Sequence, residues 1–301
     1  MANARAAVSA IKDGNTESGT APAAATERRS AGGELRLDDV RGFVFDIDGT
    51  LVHRGPDGHG RPQPGAVEVL DRIRASGRPL VLFTNGSHVS AKAMARGLTE
   101  DGLPVAPHEL LTPIESTLSY LRRRHPGRPL LLFATEATRE RMAQAGVPLA
   151  QREEAEVVFV AHINEVDMDS LERAARAVVR GAPLLTGSYI PAYAGAHGPI
   201  FSRGAMVTAA IAKASGARPK IVGKPSRTAV AEVHTRLGVP TNQLAVIGDD
   251  LRMDIALGRM GGSRTVLVRS GISGHVALER VPEARRPHAV VDGVADLLAL
   301  L

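Results

Sequence analysis

The chain has 301 residues, 44% hydrophobic and 23% charged, with a formal net charge of +5 and no cysteine. That length allows one large domain or two modest ones. It carries no apolar run long enough to span a bilayer, and the missing thiols exclude disulfides, thiolate metal sites and cysteine nucleophiles and suit the cytoplasm. The small basic excess is not organised into a block interleaved with aromatics, and Trp is absent, so neither nucleic acid nor membrane is expected as a partner.

Residues 1–35 are rich in Ala, Ser, Thr, Gly and charge, without periodicity and without the apolar core of a secretory signal, and read as a disordered tail. From Leu37 onward short apolar runs alternate with helical patterns, the mark of an α/β fold built on a parallel sheet. Phe43-Val44-Phe45 leads into Asp46, and Leu80-Val81-Leu82-Phe83 leads into Thr84-Asn85. Ile221-Val222 leads into Gly223-Lys224, and Leu244-Ala245-Val246-Ile247 leads into Gly248-Asp249-Asp250. Ligands of open α/β sheets sit outside the carboxyl ends of the strands, so these four polar ends are expected to converge on one crevice. Between the second and third runs lie further strand candidates at 130–133, 157–160 and 184–185, with helices near 136–145 and 168–180. They define an inserted α/β domain at 114–204 and a discontinuous core at 36–113 and 205–301.

Asp46-Ile47-Asp48-Gly49-Thr50-Leu51 places two carboxylates two residues apart. On a strand they point the same way, and Gly49 lets the backbone turn past them. Two acids this close repel unless one is protonated or a cation sits nearby, an arrangement that suits a nucleophile beside a general acid. An isolated Asp-x-Asp would be a solvated turn; one that follows an apolar strand and precedes Gly-Thr-Leu reads as chemistry. Gly248-Asp249-Asp250-Leu251-Arg252-Met253-Asp254 gathers three more acids, with Asp250 and Asp254 at helical i,i+4 spacing. An acidic helix start explains Asp254 alone but explains Asp249 poorly; hard oxygen donors in a cluster favour Mg²⁺. Thr84-Asn85-Gly86-Ser87 offers hydroxyls, an amide and free backbone N–H groups as an anion cradle, although it is also ordinary turn chemistry. Lys224 supplies a cation at another strand end.

The ordered set DIDGT, TNGS, GKPS and GDDLRMD resembles the four motifs of the haloacid dehalogenase-like hydrolase superfamily over about residues 38–275. The detailed run is similar to its type IIA branch, the NagD-like and 4-nitrophenyl phosphatase-like enzymes. The resemblance implies a Rossmann-like parallel-sheet core, a C2-type cap formed by the insertion, and Mg²⁺-dependent hydrolysis of a small-molecule phosphate monoester such as a sugar phosphate or nucleotide. It implies Asp46 as the nucleophile that forms an aspartyl-phosphate and Asp48 as the acid that protonates the leaving oxygen and then activates water. Thr84, Asn85 and Lys224 would hold the phosphoryl group. Asp46, the backbone carbonyl of Asp48, and Asp249 would bind the metal, with Asp250 and Asp254 as ligands through water or as supports from outside. A homodimer, where one forms, is expected to pair through the cap.

This chain departs from many relatives at Gly86, where they carry a second Asn, and at Thr186-Gly187-Ser188-Tyr189, where they often read Thr-Asn-x-Asp. The stretch that follows, to Pro199, reads as a Gly/Pro-punctuated loop, and its Tyr189, Tyr193 and His197 are candidate contacts for the leaving group. His53 and His59 around Asp57 mimic a metal cluster, but the surrounding glycines and Pro56 make this a polar loop. Two other classes compete. A catalytically silent phosphate-ester sensor or assembly protein is opposed by the intact Asp46/Asp48 pair. A nucleotide-binding oxidoreductase is opposed by the lack of Gly-x-Gly-x-x-Gly after the first strand.

Overall fold

Strand β1 (Gly42–Phe45) is buried along its whole length, and Phe43 and Phe45 are fully enclosed. A strand covered on both faces needs an unbroken apolar run, which GFVF provides. The computed structural model describes residues 36–55, 59–87, 89–150, 154–195 and 198–301; the tail expected at 1–35 lies outside the described residues. After β1 the chain makes a short antiparallel hairpin, β2 (Val52–Arg54) with β3 (Gly60–Pro62). Residues 56–58 of the polar loop expected there lie outside the described residues; His59 Nδ1 is 2.8 Å from Asp101 Oδ1.

Helix α1 (Ala66–Ala75) returns the chain to β4 (Leu80–Phe83), and α2 (Ala91–Glu100) leads to the two-residue β5 (Leu110–Leu111). The chain then leaves this layer. Helix α3 (Pro113–Arg124), with Thr112 capping its N-terminus, opens a second unit. Strands β6 (Leu130–Phe133), β7 (Val157–Val160) and β8 (Leu184–Thr186) alternate with α4 (Glu136–Gln144) and α5 (Met168–Val179). A second hairpin, β9 (Ala192–Gly195) and β10 (Gly198–Phe201), precedes α6 (Arg203–Ser215) and β11 (Lys220–Ile221). The chain re-enters the first layer through α7 (Arg227–Leu237), β12 (Leu244–Gly248), α8 (Ala256–Gly261), β13 (Arg264–Val268) and β14 (Ala289–Val291).

Two parallel sheets result. The larger has the order β14-β13-β12-β1-β4-β5, the smaller β11-β8-β7-β6. This is the Rossmann-like core with an α/β insertion that the alternation of runs predicts. The boundary of the insertion differs from expectation. Lys220 and Ile221 pair in parallel with Leu185 and Thr186, so the third of the four expected strands belongs to the smaller sheet. Helix α6 goes with it, burying Val207 and Ile211 among Val158, Leu184 and Ala174. The insertion therefore runs to about residue 221 rather than 204. Two paired residues are too short a signal to reveal in sequence which sheet they join. The stretch expected as a loop after Thr186 is also corrected in part, since residues 192–195 and 198–201 form the β9–β10 hairpin.

The insertion is closed at its base. Thr84 N–H donates to Leu111 O at 3.1 Å on the way in, and the Asn85 side chain bonds the Lys224 backbone on the way out. Among the described residues, no helix is long and apolar enough to cross a membrane.

Candidate active site

β1, β4 and β12 are neighbours in the sheet, with Phe45 level with both Leu82 and Ile247. Their carboxyl ends deliver Asp46, Thr84 and Asp249 side by side. Asp46 is fixed by its N–H bond to Ile247 O at 2.9 Å, which prolongs the ladder by one residue. Lys224 arrives from the smaller sheet, since Val222 N–H bonds Thr186 O and Gly223 N–H bonds Gly187 O before the chain crosses over. Three of the four expected strand ends thus converge within one sheet, and the fourth residue is brought in from the insertion.

Lys224 is almost wholly buried, and its Nζ donates to Asp46 Oδ1 at 2.6 Å and to Asp254 Oδ1 at 2.7 Å. One carboxylate oxygen from each of Asp46, Asp249 and Asp254 lies within 4.8 Å of the others. Asp254, expected outside the metal-binding set, is therefore part of the carboxylate cluster itself. The reason is local: Leu251–Ile255 is a π-helical turn, not regular α-helix, and it swings Asp254 inward. Both its oxygens are occupied, by Lys224 and by Asp250 N–H at 3.1 Å. Asp250 stays outside the cluster and caps the same turn by accepting from Arg252 N–H at 2.7 Å.

Three buried carboxylates around one ammonium strain the electrostatics. Burial pushes Asp46 well above the usual carboxylate range; Asp254 and Asp249 add to the shift and Lys224 opposes it. Burial, then Asp254, pushes Asp249 up to about 6 against the Ile272 N–H and Lys224. Burial alone would lower Lys224, but Asp254 and Asp46 outweigh it and hold the ammonium charged. One oxygen of Asp46 and one of Asp249 accept no hydrogen bond among the described residues. Excess negative charge with two open oxygens is the donor set that a hard divalent cation fits.

Asp48 does not join this cluster through its side chain. Its carboxylate is about half exposed and accepts from Arg54 Nε on β2 at 2.5 Å. Asn85, expected to touch the phosphoryl group, has its side chain committed elsewhere. Its Oδ1 accepts from Lys224 N–H and its Nδ2 donates to Lys224 O, both at 2.8 Å, so it clamps the backbone that presents the lysine. Thr84 is buried and its hydroxyl accepts from Gly86 N–H at 2.9 Å, which closes the cradle on itself. Tyr189 is exposed beside the β9–β10 hairpin, and Tyr193 lies on β9; His197 lies outside the described residues.

Sequence reasoning missed the loop after β13. Ile272 N–H donates to Asp249 Oδ2 at 2.7 Å, Ser273 N–H donates to Asp249 O, and Ser270 Oγ donates to Gly49 O at 2.7 Å. The available signal was a fifth apolar run, Val266-Leu267-Val268, ending in Arg269-Ser270-Gly271. Gly49 and Gly271 press on Asp249 from opposite segments, and a Cβ on Gly271 would fall inside the contact radius of Asp249 Oδ2. Gly271→Ala is expected to displace Asp249 and lower kcat by roughly 10²-fold or more, as a misplacement of about 1 Å does. A melting temperature close to wild type would show that the loss is local; undiminished turnover would show that the loop does not position Asp249.

Known proteins agree with this geometry. The haloacid dehalogenase-like hydrolase family matches residues 43–148, and a second description, HAD-hydrolase-like, matches 221–297. Ribonucleotide monophosphatase NagD of Escherichia coli (strain K12) is 29% identical over 260 residues, covering 86% of this chain and 98% of that protein. The acid sugar phosphatase of Staphylococcus aureus (strain USA300) is 24% identical over 237 residues, covering 79% and 89%. The solved structure of p-nitrophenyl phosphatase from Archaeoglobus fulgidus superposes with a TM-score of 0.78 at 27% identity, covering 87% of this chain and 100% of that one. Fold, site and relatives together define a hydrolase of phosphomonoesters. The chain belongs to the haloacid dehalogenase-like hydrolase family, in the type IIA branch of NagD-like and 4-nitrophenylphosphatase-like enzymes.

Proposed function

We propose that this protein is a cytoplasmic, Mg²⁺-dependent phosphatase that hydrolyses a small phosphate monoester, such as a nucleotide or sugar phosphate, through an aspartyl-phosphate. The observation that carries the proposal is Asp46. It is a buried carboxylate with one oxygen held by Lys224 and the other open, at the carboxyl end of the central strand. A carboxylate oxygen of Asp46 attacks phosphorus, and the bond from phosphorus to the leaving oxygen breaks. Asp48 gives its proton to that oxygen. It then takes one from the water that attacks the phosphoenzyme, and inorganic phosphate leaves with Asp46 restored. Thr84 and Lys224 hold the phosphoryl oxygens, Asn85 holds Lys224, and Arg54 fixes the direction of the Asp48 carboxylate. Asp46, Asp249 and the Asp48 carbonyl would hold Mg²⁺, which neutralises charge building on the transferring group. Asp254, with both oxygens engaged, serves Lys224 instead.

The metal assignment has a direct test. Chelation should abolish hydrolysis of 4-nitrophenyl phosphate and Mg²⁺ should restore it; Ca²⁺, with its looser coordination, should restore little. Undiminished turnover in excess chelator would refute the assignment.

Specificity is assigned to the cap. A site made of Thr84, Lys224 and a metal recognises only the group that all monoesters share. Tyr189, just before the β9–β10 hairpin, and Tyr193 on β9 are residue types suited to stacking and hydrogen bonding. Tyr189→Ala, Tyr193→Ala and His197→Ala should change relative kcat/KM among nucleotides and sugar phosphates while affecting 4-nitrophenyl phosphate less. Equal proportional losses on every ester would move specificity to another part of the cap.

A further inference from the structure

The cradle loop Thr84–Ser87 touches the cap at its far end. Ser87 is buried, and its Oγ accepts from the backbone N–H of His162, just after β7, at 3.1 Å. Its carbonyl accepts from Thr138 Oγ1 on α4 at 3.2 Å. Thr138 is itself almost fully buried, and Thr135 Oγ1 lies 3.3 Å from its hydroxyl. Thr135 N–H in turn donates to His162 O at 3.0 Å, so the two cap segments that hold Ser87 also hold each other. The loop is thus tied at three points: to itself through Gly86 N–H and Thr84 Oγ1, to Lys224 through Asn85, and to the cap through Ser87.

We propose that Thr138 is a positioning residue for phosphate: from within the cap, and without reaching the ligand, it holds the far end of the Thr84–Ser87 loop and so the place of the Thr84 hydroxyl, whose oxygen the same loop engages through Gly86 N–H. With its carbonyl held by Thr138 and its Oγ by His162 N–H, Ser87 is anchored twice to the cap, and the loop between it and Thr84 has only two residues in which to shift. In a buried setting an unpaired carbonyl would seek another partner and turn the loop with it. A cradle works only while its donors face the anion, because a donor that must first rotate loses most of its value in the transition state. The proposal rests on the reading of Thr84–Ser87 as the phosphate site.

The experiment uses the full-length enzyme with 4-nitrophenyl phosphate as substrate and inorganic phosphate as competitive inhibitor. Thr84→Val first tests the reading itself and should weaken inhibition by phosphate. Thr138→Val should then weaken it by roughly 3–10-fold, the worth of one hydrogen bond, and Thr138→Ser should restore it. Ser87→Ala should act in the same direction, and the Ser87→Ala/Thr138→Val double variant should lose less than the product of the two single losses. If Thr84→Val has no effect, the phosphate site is elsewhere. If Thr84→Val weakens inhibition while Thr138→Val lowers only the melting temperature, the phosphate site stands and Thr138 is scaffold.

Discussion

Asp46→Asn is expected to abolish turnover, by about 10⁴-fold or more as for loss of a covalent nucleophile, and to leave no phosphoenzyme after rapid acid quench. The same substitution should not destabilise the metal-free protein. Burial raises the Asp46 carboxyl in the folded state, so above the ordinary carboxylate range the folded protein binds more protons than the unfolded chain. Stability then falls as pH rises through that window. Asn removes this penalty, so thermal melts in chelator should show the variant at least as stable as wild type near pH 7.5, with a flatter change down to pH 5. Asp48→Asn, at a half-exposed position beside Arg54, should instead bind substrate and lose roughly 10²–10⁴-fold in rate, the usual worth of a general acid. Near wild-type turnover by Asp46→Asn would end the covalent mechanism.

Lys224→Met should do the opposite to stability. It removes the ammonium that both Asp46 and Asp254 share and leaves two buried carboxylates facing each other. Breaking a buried pair by deleting one partner costs about 3–5 kcal/mol. The metal-free variant should melt well below wild type at pH 7.5 and recover part of the difference at pH 5, where the orphaned acids take up a proton. Mg²⁺ should raise its melting temperature more than that of wild type, because a divalent cation replaces the missing charge. Activity should fall severely in either case. A variant that melts like wild type across this pH range would mean that the lysine is not the counter-charge of the cluster.

The positions of Asp46, Thr84 and Asp249 were legible in sequence because each follows an apolar run buried on both faces. Such a run predicts a central parallel strand and hence which residue sits at its carboxyl end. Lys224 was legible as a strand-end cation but not as a residue delivered by the cap sheet, because two residues of β11 pair with partners more than thirty positions away. Spacing alone placed Asp254 on a regular helix; the π turn that moves it inward has no local sequence mark. The β9–β10 hairpin was hidden by Gly195, Gly198 and Pro199, which read as loop chemistry although edge strands tolerate Pro. The commitments of Asn85 to Lys224 and of the Ser270–Ser273 loop to Asp249 are pairings between segments distant in sequence, which composition and periodicity cannot register; that of Asp48 to Arg54 is local but depends on the turn into β2.

The closure at the base of the insertion bears on how the chain folds. Asp46 and Lys224 are 178 residues apart and Asn85 and Lys224 are 139 apart, separations that ordinarily slow folding, because a long loop must be closed before any contact rewards it. Here Leu111 and Lys224 end up bonded to the consecutive residues Thr84 and Asn85. Once the insertion has gathered around its own sheet, its ends emerge almost where a tight turn would leave them. The remaining chain then experiences more than a hundred residues as a short connection. A domain of this size can thus sit between two halves of a catalytic sheet at little entropic cost, provided that it condenses first.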